Sequence, residues 1–382
     1  MTRDDIIARA EGLVPVLRER AETAEALRRM PDETVAELVA AGLTRTSQPA
    51  RFGGFELGWD VVCEVAMTLG RGDASQAWVA NVYAEHAFMA ALFPDAAQRE
   101  VWGGNPEALI SASISPVGNH VETVDGGYLL DGRWPFASGV HHSDWTIIGD
   151  LVQTGDAPPQ HMLFLVPKAD REIVDDWHVT GMAGTGSLSV KLARVFVPAH
   201  RSLNNDAVAA GAAPGAEINR HPLYRMPIFG FSNLALASVP VGVAEAMIDE
   251  FTGFVASRAA RKPPPPALEA LHTRLAESAA EVKAARLLIM DAAVSSMAKL
   301  VSGALLTAAD GTRNMHQNAY ACVLTRRAAA RLFEATGAHG IYLTSVMQRA
   351  FRDIYASTVH AGLNWDRHAL QYGRMAAESR RP

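Results

Sequence analysis

The chain has 382 residues, 49% of them hydrophobic and 20% charged, a balance that argues against a disordered polymer and supports a sizeable core; the length suggests two or three domains, with a single large interdigitated unit as the alternative. The formal net charge is -6 and the 35 basic residues are scattered, which argues against nucleic acid as a partner. Cys63 and Cys322 are the only cysteines, so neither a disulfide framework nor a cysteine metal site can form within one chain; a reducing compartment fits, and no metal is expected.

The amino terminus mixes charges of both signs and lacks the apolar core of a signal peptide. No run of about 18 apolar residues could span a bilayer, so a cytoplasmic protein without membrane attachment is expected. Residues 4–29 set Ile6, Ile7, Leu13, Val14 and Leu17 at helical spacing and predict an amphipathic helix with Asp4 or Asp5 as its N-cap. A second helix is predicted from Pro31-Asp32, with Val35, Leu38 and Val39 inward and Gly42 as its stop. After turns ending at Phe52-Gly53-Gly54, helices are predicted over 59–70 and 75–92, carrying Cys63, Met67, Trp78, Val82 and His86. Residues 1–106 therefore read as a helical domain.

Beyond Pro106 the pattern changes to short runs, Val121–Val124, Tyr128–Leu130, Thr146–Val152 and Met162–Val166. They are separated by Asp125-Gly126-Gly127, Asp131-Gly132 and Pro158-Pro159, which are turn signals. Residues 107–205 thus predict a β domain. Residues 206–382 predict a helical bundle, interrupted by the prolines at 263–266 and the glycines near 337–340, with the Ala/Gly stretch 207–216 as a flexible excursion. The fold class is α+β.

Ala41-Gly42-Leu43 leading to Phe52-Gly53-Gly54, Trp134-Pro135-Phe136-Ala137-Ser138-Gly139, Trp177 to Ser187 followed by Val195-Phe196-Val197-Pro198, and Arg352-Asp353 occur in one order along the chain. Together they resemble the acyl-CoA dehydrogenase fold over nearly its whole length. The resemblance implies an N-terminal helical domain, a central β-barrel-like domain, a C-terminal four-helix bundle and a homotetramer. A dehydrogenase of this fold commonly carries a glutamate one to two turns after the Arg-Asp pair. Here no Glu lies between Asp353 and Glu378, and His360 stands in the neighbourhood instead. The spacing of Trp78 and His86, the strand to Gly139, the Gly184-Thr185-Gly186-Ser187 loop and His360 after Arg352-Asp353 are similar to the oxygenase components of two-component flavin monooxygenases. That branch contains p-hydroxyphenylacetate hydroxylase and the hydroxylase of the phenolic ring in steroid degradation.

That resemblance implies hydroxylation of a small aromatic compound by molecular oxygen and reduced flavin, FMNH2 or FADH2, through a flavin 4a-hydroperoxide. No nicotinamide site is recognisable, so a separate NAD(P)H-dependent flavin reductase is implied. His360 is the expected acid/base, because an imidazole with a pKa of about 6.5 can take a phenolic proton; a histidine held by a backbone group is the structural alternative. Trp78 and His86, about 12 Å apart on one helix side, are expected to line a pocket. Ser138 is expected to donate to flavin near N5, with Phe136, Gly139, Gly186, Ser187, Ser113 and Ser115 around the ring; which of Ser111, Ser113 and Ser115 faces it stays open, because neighbouring strand residues alternate sides. Tyr224 and Phe229, in the segment 221–229, are further candidates for substrate contact. His141 and His142 lack a metal-ligand partner at regular spacing. An acyl-CoA dehydrogenase or a flavin N-oxygenase remains an alternative on the same fold, and a non-enzymatic flavin-binding protein a more distant one.

Overall fold

The first helix, α1 (Arg3–Glu19), is capped by Thr2 and not by an aspartate: the Thr2 hydroxyl accepts from the Asp5 N–H while the Asp5 carboxylate accepts from the Thr2 N–H. The predicted single helix is two, because Arg20 leaves helical geometry and forks onto Glu37 at 2.7 and 3.0 Å; α2 (Ala21–Leu27) and α3 (Asp32–Ala40) follow. Gly42, at φ +76°, ends α3 as expected. Next come α4 (Trp59–Gly70), α5 (Ala74–Ala90) and α6 (Asp95–Trp102). Every residue of α5 is buried, so this helix is enclosed on all faces and can carry side chains into the interior in several directions. The structure, a computed structural model, describes residues 1–153, 155–228, 230, 233–263 and 268–379.

The strands are β1 (Ile110–Ser113), β2 (His120–Val124), β3 (Gly127–Ala137), β4 (Trp145–Val152), β5 (Gln160–Pro167), β6 (Glu172–Val174), β7 (Leu188–Pro198) and β8 (Ser202–Asn204). One sheet has the order β1-β4-β5-β8 and the other β2-β3-β7-β6. Asp131-Gly132, read as a turn, lies instead inside β3, where the register against β7 shifts between Leu130 and Gly132. The first sheet is buried on both sides. Ile147, Leu163 and Leu165 pack into the helical core, while their neighbours Ile148, Phe164 and Val166 meet Leu130, Trp134 and Val190 of the second sheet. Alternation of side chains along a strand thus produces an unbroken apolar run, and the barrel-like expectation takes the form of two stacked sheets.

The Ala/Gly stretch is not an excursion. It holds α7 (Asn205–Ala209) and α8 (Pro214–Ile218), and Gly215 lies so tightly on α5 that a Cβ there would stand 2.0 Å from the Ala91 carbonyl oxygen. The bundle follows as α9 (Asn233–Ala259), α10 (Leu268–Val301), α11 (Ala308–Thr336), α12 (Val346–Thr358) and α13 (Trp365–Glu378). Of the proline run, residues 264–266 lie outside the described residues.

Candidate functional site

Three segments converge at the N-terminal half of α5: the end of β3, the loop 181–187, and the corner between α12 and α13. The loop is fastened from below by the Arg-Asp pair. The Asp353 carboxylate accepts from the Met182 N–H at 2.6 Å, and Arg352 donates to the Thr180 carbonyl at 2.7 Å and to Glu25 at 2.6 Å. Gly181 is pressed against α12, where a Cβ would meet the Arg352 carbonyl at 2.5 Å. Burial and the neighbouring Asp73 push the Asp353 carboxyl up to about 7. The loop in turn holds the strand end, because the Gly139 N–H donates to the Thr185 carbonyl at 2.9 Å. Gly139 is held at φ +70°, and its carbonyl accepts from the Tyr83 hydroxyl of α5 at 2.7 Å.

A row of hydroxyls joins these parts. The Trp78 indole N–H donates to Ser138 Oγ at 3.2 Å; Ser138 Oγ lies 2.7 Å from Ser187 Oγ, which lies 2.7 Å from Thr185 Oγ1; and Thr185 donates to the Met182 carbonyl at 2.8 Å. Both ends of the row have fixed roles, since an indole N–H can only donate and a carbonyl can only accept. Each hydroxyl has one proton, so Thr185 gives its own to Met182, Ser187 gives to Thr185, and Ser138 gives to Ser187. With every link of the row made, the Ser138 proton points into the loop and one of its lone pairs is left, whereas the sequence expectation has Ser138 donate to a ring. Trp78 and Ser138 are 7% and 8% exposed.

His360 lies beside Trp78, with ring centroids 6.0 Å apart and planes inclined by 60°. It caps the short 3-10 turn Ala361–Leu363, its Nδ1 accepting from the Gly362 N–H at 3.1 Å. In the neutral ring this leaves the proton on Nε2, as a donor, so of the two halves of the expected acid/base role the resting arrangement presents the acid. The side chain is open to solvent yet sits in a recess with protein around it, and the resulting desolvation lowers its pKa. His86 is its converse. Nδ1 donates to the Ile110 carbonyl at 2.9 Å, which leaves Nε2 as an acceptor, and burial holds its pKa down to about 4.

Phe136 directly precedes this cluster at φ +67° and leaves its ring 68% exposed, edge-on to Trp177 at 6.1 Å. An exposed aromatic face beside a hydroxyl with a spare lone pair fits a flat, partly polar ring system such as flavin. Gly186 takes φ +51° to turn the loop back into β7. Of the serines left open by sequence, Ser113 is buried and donates to the Pro135 carbonyl, which ties β1 to the strand bearing Phe136, whereas Ser115 lies beyond the strand end and is exposed. Ser111 is spent on Ser143 and Thr146 inside the domain.

Tyr224 does not join the cluster. It is 1% exposed, stacks on Phe88 at 6.4 Å and donates its hydroxyl to the Ser47 carbonyl at 3.1 Å, so it packs the core and leaves no face for a ligand. Phe229 lies outside the described residues. His142 bonds Asp32 at 2.8 Å and joins the loop after Ser138 to α3; among the described residues no three His, Cys, Asp or Glu side chains are grouped to hold a metal ion. Sequence reasoning missed Thr185, whose hydroxyl terminates the row, and Asn81, one turn beyond Trp78. Asn81 is buried with neither amide atom hydrogen-bonded among the described residues, and its place one turn beyond Trp78 on the same helix was the available signal.

Residues 234–365 match the acyl-CoA dehydrogenase C-terminal domain family. Over 378 residues the chain is 32% identical to the flavin-dependent monooxygenase oxygenase subunit HsaA of Rhodococcus jostii, covering 96% of each protein. Over 381 residues it is 32% identical to the FADH(2)-dependent resorcinol hydroxylase oxygenase component of a Rhizobium species, covering 97% of this chain and 93% of that protein. The crystal structure of the HsaA monooxygenase from M. tuberculosis superposes with a TM-score of 0.95 at 31% identity, over 99% of this chain and 100% of that one.

Proposed function

Because this chain belongs to the family of oxygenase components of flavin-dependent aromatic monooxygenases, we propose that it hydroxylates a small phenolic ring, using dioxygen and reduced flavin that a separate NAD(P)H-dependent reductase supplies. The observation that carries the reading is the cluster of Ser138, Trp78 and His360, with an exposed aromatic ring on one side and no glutamate in α12 or its corner with α13. When bound, FMNH2 or FADH2 provides the electrons and activates dioxygen; the chain holds the ring, orients it and keeps water out.

Phe136, Ser138, Gly139, Gly186, Ser187 and, through its hold on Pro135, Ser113 form the flavin side. His86 and Trp78 form the substrate side. His86 Nε2, neutral because of its burial, accepts the hydrogen bond of a phenolic O–H and so raises electron density on the ring. His360 donates from Nε2–H to oxygen as negative charge develops there. Removal of an α-proton from an acyl thioester, the other activity of this fold, calls for a carboxylate in this region. Asp353 is instead buried beneath Met182 and bonded to its N–H.

The finer features follow the same reading. Leu287, Val294 and Val301 repeat every seven residues along α10 and are exposed, which supports packing of helices between copies in a homotetramer. Among the described residues no helix is long and apolar enough to cross a membrane, which supports action in the cytoplasm. The test is a product assay with the purified chain, pre-reduced FMN or FAD, isotopic dioxygen and a panel of phenols, indoles and polycyclic aromatics. Labelled oxygen in a ring hydroxyl is the expected result. Absence of any labelled product, together with bleaching of bound oxidised flavin by an acyl-CoA, would overturn it.

A further inference from the structure

We propose that Thr185 and Ser187 are positioning residues that make the site discriminate between the redox states of flavin, by holding the Ser138 proton away from the cavity. The inference rests on the reading above that Ser138 lies at flavin N5. Reduced flavin carries a hydrogen on N5 and needs an acceptor there; oxidised flavin has a lone pair on N5 and needs a donor. The row Trp78, Ser138, Ser187, Thr185, Met182 runs in one direction, from an indole that only donates to a carbonyl that only accepts. In that direction Ser138 presents a lone pair, which suits the reduced ring and opposes the oxidised one.

The oxidised ring could be accommodated only by reversing the row. Ser138 would then donate outward, Ser187 would donate to Ser138, and Thr185 would donate to Ser187. The hydrogen bond from Thr185 to the Met182 carbonyl would be lost; that buried carbonyl would keep only the Trp177 indole N–H, so the row as a whole would hold one hydrogen bond fewer. The Met182 carbonyl is itself held in place, since it also accepts from the Trp177 indole at 3.2 Å while the Met182 N–H is bound by Asp353. The loop thus acts as a fixed proton sink. An oxygenase that receives its flavin already reduced gains from such a sink, because spent oxidised flavin is then the weaker ligand and leaves.

The test measures binding, not turnover. Dissociation constants for dithionite-reduced and for oxidised FMN are determined by anaerobic titration calorimetry on the full chain. Wild type is expected to bind the reduced form more tightly. Thr185→Val removes the sink and frees the row to reverse, so the ratio of oxidised to reduced dissociation constants is expected to fall about five- to tenfold. Thr185→Ser restores the hydroxyl and is expected to restore the ratio, which a merely structural role of Thr185 would not predict. Ser187→Ala cuts the row by a smaller change and is expected to act like Thr185→Val, so the comparison stands even where the valine variant does not fold. A ratio within twofold of wild type in the folded variants would overturn the proposal while leaving the monooxygenase reading intact. A wild-type chain that binds neither form would overturn that reading, and this inference with it.

Discussion

Trp78 and Ser138, 60 residues apart in sequence, are joined by one hydrogen bond in which the indole N–H approaches the serine oxygen from inside the protein. The serine oxygen can therefore be relaxed without touching the serine itself. Trp78→Phe keeps most of the packing and deletes the donor. Its melting temperature is expected to stay within the range of a loss of about 1 kcal/mol. The share of consumed oxygen recovered as hydrogen peroxide is expected to rise severalfold, as judged by the ratio of product to oxygen uptake. An unchanged ratio would remove the tryptophan from the positioning of Ser138.

His360 has two separable duties, capping and donation. His360→Asn preserves a side-chain acceptor for the Gly362 N–H but loses the imidazole donor. It is expected to melt like wild type while hydroxylation under single turnover with pre-reduced flavin falls by about ten- to a hundredfold. His360→Ala is expected to show the same loss of rate plus about 1 kcal/mol of destabilisation from the lost cap. Equal rates in wild type and the asparagine variant would show that only the cap matters.

Asp353 makes stability depend on pH in a definite direction. Its carboxyl ordinarily titrates near 3.8 but in the folded chain is pushed up to about 7, under the influence of burial, Asp73 and Glu25 against Arg352. Between those values the unfolded chain has lost the proton that the folded one retains, so its contribution to stability declines as pH rises from about 4 to about 7 and is constant above. Asp353→Asn keeps the acceptor for the Met182 N–H without the charge. It is expected to exceed wild type in urea stability at pH 8 by on the order of 2 kcal/mol, an advantage that disappears by about pH 4. A variant less stable than wild type at pH 8 would contradict this account.

Gly139 combines a left-handed backbone at φ +70° with a lack of room, since a Cβ would stand 2.7 Å from the Tyr83 hydroxyl oxygen. Gly139→Ala is expected to cost about 2 kcal/mol and to weaken flavin binding, because Ser138 precedes the displaced peptide. A Cβ would also stand 2.8 Å from Tyr83 Cζ and from Val79 Cγ1, so Tyr83→Phe is expected to relieve only the clash with the hydroxyl and to leave most of the penalty in place. A double-mutant cycle in urea measures the difference.

Much of this frame was legible from periodicity and turn chemistry. The helix over 59–70 coincides with α4, and Gly42 closes α3 through the conformation that glycine favours. The misreadings have local physical causes. Asp5 is a good capping residue, but it serves as the third helical residue of a capping box anchored by Thr2. Asp131-Gly132 resembles a hairpin turn and instead marks a bulge, a difference decided by pairing with β7. Tyr224 has the mixed polarity of a binding residue, yet a carbonyl 177 positions away satisfies its hydroxyl in the core. The orientation of Ser138 could not be read at all. It depends on a proton count that ends on a backbone carbonyl, and no side-chain spelling records where that carbonyl points.

The clamp of Asp353 on Met182 has a further consequence. One helix carries both the fastening of the 181–187 loop and, just past its C-terminal end, His360. The loop's acceptor and the histidine's donor are thus mounted on a common bracket, and neither can retreat to let a bulky guest pass while the other stays. Breathing that admits or releases a ring must therefore be borne by the facing walls, and swapping side chains on those walls is where a search for altered ring preference should begin.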